Sequence, residues 1–242
     1  VQIEKTGVEL RLNTRVNREQ LEREGFDEEI VATGVVPRAL KIEGSQAPQV
    51  LSYAEVLRGA FVGNRVAVIG AGGIGFDVSE FLLKPVHQPQ PQPLDDWQRE
   101  WGIDPNPNYV SEGGLQPAQV EHPVREIYLL QRKTTALGIG LGKTSGWVHR
   151  AQLKKHAVKM LRGVQYKAVT DEGLWVETNG YDQLLRVDTV VVCAGQESVK
   201  DIMPNEGENT LANYHIIGGA KLAAELDAKR AIREGAELAA KL

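Results

Sequence analysis

The sequence predicts an α/β fold built on a parallel sheet and carrying a β-meander. Two observations point there. Val66-Ala67-Val68-Ile69 is a continuous apolar, largely β-branched run, as in a parallel strand buried on both faces; a glycine turn follows it, and then apolar residues at helical spacing (Ile74, Val78, Phe81, Leu82). Later, Gly163 to Thr170, Gly173 to Thr178 and Gln183 to Val187 read as short strands joined by turns at Asp171-Glu172-Gly173 and Asn179-Gly180, which is the pattern of a meander.

The glycine turn, Gly70-Ala71-Gly72-Gly73-Ile74-Gly75, fits G-x-G-x-x-G. The first glycine permits the turn, the second lets a pyrophosphate approach the backbone, and the third lets helix and strand pack closely. Free N–H groups at the positive end of the helix would face the phosphates. In a Rossmann unit the following strand ends at the adenosine ribose, where NAD requires an acidic side chain. Arg125 to Lys133 reads as that strand, and its end carries Gln131, Arg132 and Lys133 instead. A 2′-phosphate needs cations there, and arginine offers a bidentate fork, so the expected cofactor is NADPH. Arg132 lies 57 residues beyond Gly75, where the usual separation is about 20. The proline- and glutamine-rich stretch 84–124, which includes Pro89-Gln90-Pro91-Gln92-Pro93, accounts for the excess as an insert, with Trp97 and Trp101 available to pin it.

Composition narrows the alternatives. The chain has 242 residues, a formal net charge of -4 and a sequence pI near 5.8, which give no electrostatic reason to expect nucleic acid or an anionic membrane as partner. The single cysteine, Cys193, cannot form an internal disulfide or supply an iron-sulfur cluster, and its strand context favours a buried core residue. With no leader-like or long apolar span, a reducing cytoplasm is the expected compartment. The start at Val1 reads as the middle of a domain, so a fragment of a longer protein is expected.

Along the chain, Val8 to Val16 alternates as a half-buried strand would, and a charged, helix-prone or loop segment runs to Gly25. Glu29 to Arg38 reads as a buried strand with the small-residue turn Ala32-Thr33-Gly34, echoed by Cys193-Ala194-Gly195 after the core strand from Asp188. Residues 39–64 read as a linker with one short helix, Ser52 its N-cap and Glu55 at capping-box spacing. Leu137 to Gly146 contains Gly142-Lys143-Thr144, but the first glycine of a P-loop would have to be Leu137 and no strand leads into it, so a P-loop is rejected; Lys143 stays available to a phosphate or ribose. Trp147 to Leu161 has helical character, and His149 and His156, without a third ligand nearby, read as solvated or packed. Tyr214 to Ala220 is a strand and glycine turn, and Leu222 to Leu242 is strongly helix-forming.

Several of these stretches together resemble the bacterial NADPH-dependent 2,4-dienoyl-CoA reductases, relatives of the trimethylamine dehydrogenases. They are Val66 to Phe81, Glu100-Trp101-Gly102-Ile103-Asp104, Leu129 to Lys133, Gly140 to Arg150, Val192 to Glu197, Ile216 to Gly219 and Glu225 to Ile232. The resemblance runs nearly end to end. It implies a Rossmann-like, glutathione-reductase-type NADPH domain at 65–203 with the insert 84–124, and partial FAD-domain segments at 1–38 and 204–242. In that family an N-terminal barrel carries FMN, a four-cysteine cluster holds 4Fe-4S, and a C-terminal pair of domains holds FAD and NADPH. Hydride passes from NADPH to FAD, and electrons continue through the cluster to FMN and the dienoyl-CoA.

By that resemblance Gly70, Gly72, Gly73 and Gly75 hold the NADPH pyrophosphate, and Arg132 and Lys133 meet the 2′-phosphate; Ala71, Ile74, Lys143, Ala194 and Gly195 are further candidate cofactor-binding residues. Ala32, Thr33 and Gly34 with Gly218, Gly219 and Ala220 fall on the FAD side. The fingerprint for the ADP half of FAD, the barrel and the cluster cysteines are missing from this sequence. The chain by itself is therefore not expected to turn over dienoyl-CoA and is expected to bind FAD poorly or not at all; its expected partners are NADPH and those missing regions of a parent enzyme. No residue reads as an acid or base for substrate, and the chemistry belongs to the cofactors. A structural ADP-binding or docking module without hydride transfer is the alternative. A standalone NADP dehydrogenase is disfavoured, because none of the tyrosines has lysine four residues later.

Overall fold

The computed structural model describes residues 2–84, 92–105, 114–205, 207–224 and 228–242. The chain divides into two compact units, one of residues 1–36 with 196–242 and the other of residues 37–195.

The second unit holds β3 (Val50–Ser52), α3 (Tyr53–Leu57), β4 (Arg65–Ile69), α4 (Gly73–Leu83), α5 (Leu94–Trp101), β5 (Glu126–Gln131), α6 (Gly146–Lys155), β6 (Lys159–Arg162), β7 (Gln165–Thr170), β8 (Gly173–Thr178), β9 (Tyr181–Leu185) and β10 (Thr189–Val192). Its main sheet has the order β3-β10-β4-β5-β6, with every neighbouring pair parallel. As β4, at the centre, is buried from Val66 to Ile69, the continuous apolar run is explained by cover on both faces. On one face Val68 and Leu129 pack with Val56, Phe76, Leu82 and Leu153 of the helices. On the other, Ala67, Ile69 and Leu130 pack with Leu174, Val176 and Leu185 of the meander. The meander β7-β8-β9 forms as its turn residues dictate: Asn179 (φ 54°) and Gly180 (φ 82°) make the two-residue connection between Thr178 and Tyr181.

Residues 39–64 hold the expected helix, capped by Ser52 with Glu55 in a reciprocal capping box. They also hold β3, which extends the main sheet beyond β10. The expected helix over 147–161 stops at Lys155. Ala157 adopts φ 56°, and the chain then pairs with β5 as β6, so strand pairing overrides local helical spacing. Within the insert, α5 packs its Trp97 and Trp101 rings 6.2 Å apart. Residues 85–91, with Pro89-Gln90-Pro91, and 106–113 lie outside the described residues, as do Glu225-Leu226-Asp227.

The first unit contains α1 (Gln2–Lys5), α2 (Arg18–Glu24), β1 (Glu28–Val31), β2 (Val35–Pro37, whose last residue falls across the boundary), β11 (Gln196–Ser198), β12 (Asn213–Ile216), α7 (Gly218–Lys221) and α8 (Ala228–Ala239). β1 pairs in parallel with β12, and β2 pairs with β11. The expected strand over 29–38 is thus two strands, broken where Gly34 takes φ 75°. The helix ending at Gly25 is α2, with Asn17 and Gln20 in a capping box and Gly25 in the left-handed region. Val8 to Val16, expected as a half-buried strand, has no regular structure. Alternation supplies an apolar face, but among the described residues no strand pairs with it, and Val8, Leu10 and Leu12 remain 58%, 51% and 71% exposed.

Candidate functional site

The carboxyl ends of β4, β5 and β10 converge on the glycine turn. Ile69 accepts from Cys193 N–H at 2.8 Å, and Gly70 donates its N–H to Leu130 at 2.9 Å, so the turn begins while still tied to both neighbouring strands. A Cβ on Gly70, at φ 109°, would lie 2.5 Å from the Cys193 carbonyl oxygen, and one on Gly75 would lie 1.8 Å from the Gly70 carbonyl oxygen. Both positions exclude any side chain. A Cβ on Gly72 or Gly73 would meet nothing within 4 Å, so their faces are open to a ligand. α4 starts from Gly72 with no side-chain cap. Its first-turn N–H groups and the helix dipole therefore point into that open space, which fits a pyrophosphate. Ala71 is buried, and Ile74 packs from half-buried position into the helical side of the core.

Beside this turn, Gln131 ends β5 and its side-chain amide donates to the carbonyls of Lys133 (3.0 Å) and Thr135 (2.9 Å), folding the next residues into a tight turn. Arg132 and Lys133 are exposed on it, and neither forms an ion pair among the described residues. Burial pushes the Tyr166 phenol up to about 12, with the Arg132 charge opposing it. The two cations fit a phosphate monoester.

Lys143 is exposed on the loop between β5 and α6. That loop is held against α4: a Cβ on Gly138 would sit 2.7 Å from Phe76 Cζ, and Arg150 donates to the Gly138 carbonyl at 3.0 Å. The role of Arg150 in shaping this loop escaped the sequence reading, since a side chain bonding backbone 12 residues away leaves no local pattern; that of Gln131 is local, two to four residues away, but carries no motif. Ala194 is half-buried, and Gly195, at φ 104°, accepts from Arg38 N–H at 3.1 Å.

Gly70 to Gly75, Arg132, Lys133, Lys143, Ala194 and Gly195 thus all belong to the second unit. Ala32, Thr33, Gly34, Gly218, Gly219 and Ala220 lie in the first, where they form their own group. Ile217 N–H donates to Val31 (3.1 Å), Thr33 Oγ1 to Val199 (2.6 Å) and Ser198 Oγ to Gly219 (2.7 Å). Ser198 and Val199 were missed by the sequence reading. Gly34 and Gly218 have open faces and positive φ, which suits close approach of a ligand to backbone.

Cys193 is buried, and burial pushes its thiol up to about 12. His149 Nδ1 lies 2.8 Å from Glu80, while His156 is buried at the end of α6. Among the described residues no group of three or more His, Cys, Asp and Glu is placed to hold a metal, and no helix is long and apolar enough to cross a membrane.

A parallel sheet with a glycine turn and an uncapped helix at the point where strand order reverses defines a Rossmann-like nucleotide-binding domain of the kind found in FAD/NAD(P) oxidoreductases. The chain belongs to the pyridine nucleotide-disulphide oxidoreductase family, whose pattern it matches over residues 1–217. It is accordingly a flavin/pyridine-nucleotide oxidoreductase domain. Among curated relatives, a cinnamate reductase of Clostridium sporogenes is 26% identical over 219 residues, covering 88% of this chain and 26% of that protein. A metal reductase of Desulforamulus reducens is 26% identical over 211 residues, covering 81% of this chain and 29% of the relative. This chain therefore spans less than a third of either. Among solved structures, a 2-naphthoyl-CoA reductase in complex with 2-naphthoyl-CoA superimposes with a TM-score of 0.74 at 22% identity, over 100% of this chain and 31% of that one. The thioredoxin reductase of T. acidophilum gives 0.57 at 14% identity, over 88% and 64%.

Proposed function

We propose that this chain is the NADPH-binding portion of a larger flavin-dependent reductase, in which hydride passes from NADPH to FAD for reduction of a conjugated enoyl thioester, of the 2,4-dienoyl-CoA class. Bound NADPH supplies the hydride, and bound FAD receives it. The observation that carries the reading is the exposed, carboxylate-free pair Arg132 and Lys133 at the end of β5, next to the open turn at Gly72. In this reading Gly70 to Gly75 bring backbone N–H groups to the pyrophosphate, and Lys143, Ala194 and Gly195 line the rest of the dinucleotide. Arg132 and Lys133 select the 2′-phosphate, while Ala32 to Gly34 and Gly218 to Gly219 serve the FAD side.

The substrate class is supported by the sequence resemblance to dienoyl-CoA reductases. The cinnamate reductase and the 2-naphthoyl-CoA reductase agree with it in that their names also specify reduction of a conjugated system. FMN and an iron-sulfur cluster belong to the proposed parent enzyme and to none of the residues described above. Calorimetric titration of the purified chain with NADPH and with ADP tests the proposal. Preference for NADPH supports a hydride-donor arm; preference for ADP assigns the chain to the structural nucleotide modules instead.

A further inference from the structure

A third cation stands at the same corner of the sheet. Arg162 is the last residue of β6, exposed, and its register partner across the parallel ladder is Gln131. Neighbouring strands run roughly 4.8 Å apart, so Arg162 starts one strand spacing from the residue that folds the Arg132-Lys133 turn. The two segments are also tied together: Gly163 N–H donates to Lys133 and Val164 N–H to Gln131, each at 3.0 Å.

The alternation of β6 fixes its face. Met160 packs with the helical side of the core and Leu161 with the meander side, so Arg162 is on the helical side, the side of α4 and its open N-terminus. Arg132 is one residue past Gln131, the register partner of Arg162, so the three cations follow the same two neighbouring strand ends. The other end of β6 gives the contrast. Lys159 is paired with Glu126 and bonded to Tyr128, whereas Arg162 faces a neutral glutamine and has no ion pair among the described residues. A cation left without a carboxylate beside two others raises the positive potential at one point, which a dianionic phosphate monoester relieves.

We propose that Arg162 completes a three-cation site, with Arg132 and Lys133, for the 2′-phosphate of an adenosine nucleotide, and that it sets selectivity for phosphorylated over unphosphorylated ribose. This rests on the NADPH reading above. The test uses two probes that differ only in that phosphate, 2′,5′-ADP and 5′-ADP, titrated into the wild-type chain, Arg162→Ala, Arg162→Lys and Arg132→Ala. The expected result is that Arg162→Ala loses about tenfold for 2′,5′-ADP and keeps its affinity for 5′-ADP, while Arg162→Lys retains most of the selectivity. If Arg162→Ala keeps the wild-type preference while Arg132→Ala loses it, Arg162 is only a solvated strand end and the NADPH reading stands. Equal loss for both probes in Arg162→Ala overturns the proposal in favour of a structural role. A wild-type chain that does not distinguish the probes overturns both readings.

Discussion

A Cβ placed on Gly75 would lie 1.8 Å from the carbonyl oxygen of Gly70, so the first and last glycines of the turn define each other's position. Gly72, between them, has nothing within 4 Å of the corresponding point. Residues of one type in one motif therefore have opposite sensitivities. Gly75→Ala forces the α4 backbone away from the turn and should destabilise the chain by at least about 1–3 kcal/mol. Gly72→Ala should lose only a glycine N-cap, about 0.5–1 kcal/mol and less than Gly75→Ala, yet bind NADPH at least about tenfold more weakly. Thermal melts paired with nucleotide titrations separate the two; equal melting temperatures for the two variants would contradict the packing account.

Glu100 should make the insert acid-sensitive. Its carboxylate is buried, and Gln152 and Gln92 donate to it at 2.8 and 3.0 Å, with Lys155 Nζ 3.1 Å away. Burial pushes the carboxyl up, but the bonds from Gln152, Gln92 and Lys155 outweigh this and hold it at about 2, below the ordinary 4.5. A folded-state value below the unfolded one contributes stability that is fully present above about pH 4.5 and is lost as pH falls toward about 2. The amount is roughly 3 kcal/mol at most. Lys155 lies over the Trp101 ring at 3.7 Å, so an acid titration followed by tryptophan fluorescence should report the loss. Glu100→Gln should be less stable at pH 7 and should lack that acid step; a variant that keeps the step assigns it to another carboxylate.

Cys193 should be inert in the folded chain. With its thiol buried and pushed up to about 12, little thiolate forms at pH 8. A disulfide reagent should label no thiol under native conditions and one per chain after unfolding, there being one cysteine in the sequence. Rapid native labelling would mean that the end of β10 opens readily.

What was legible in the sequence follows from range. The glycine turn, the Ser52-Glu55 cap and the Asn179-Gly180 hairpin each depend on residues within a few positions, and each was readable. β6 was read as helix because Val158 to Leu161 fits either period; only pairing with β5 decides it. Val8 to Val16 alternates like a strand, but alternation does not provide a partner. The proposed role of Arg162 is invisible in the sequence for the same reason. Its place beside Gln131 is a matter of sheet register, whereas Arg132 and Lys133 follow β5 directly.

In the proposed function, Arg132 and Lys133 make this an NADPH site and not an NADH site. The most direct measurement is the pair of dissociation constants for NADPH and NADH on the same chain, repeated with Arg132→Ala. The account predicts that NADPH binds tighter by about tenfold or more and that Arg132→Ala removes most of this difference while leaving NADH nearly unaffected. Equal affinities in the wild-type chain, or equal weakening of both nucleotides by the substitution, would contradict it.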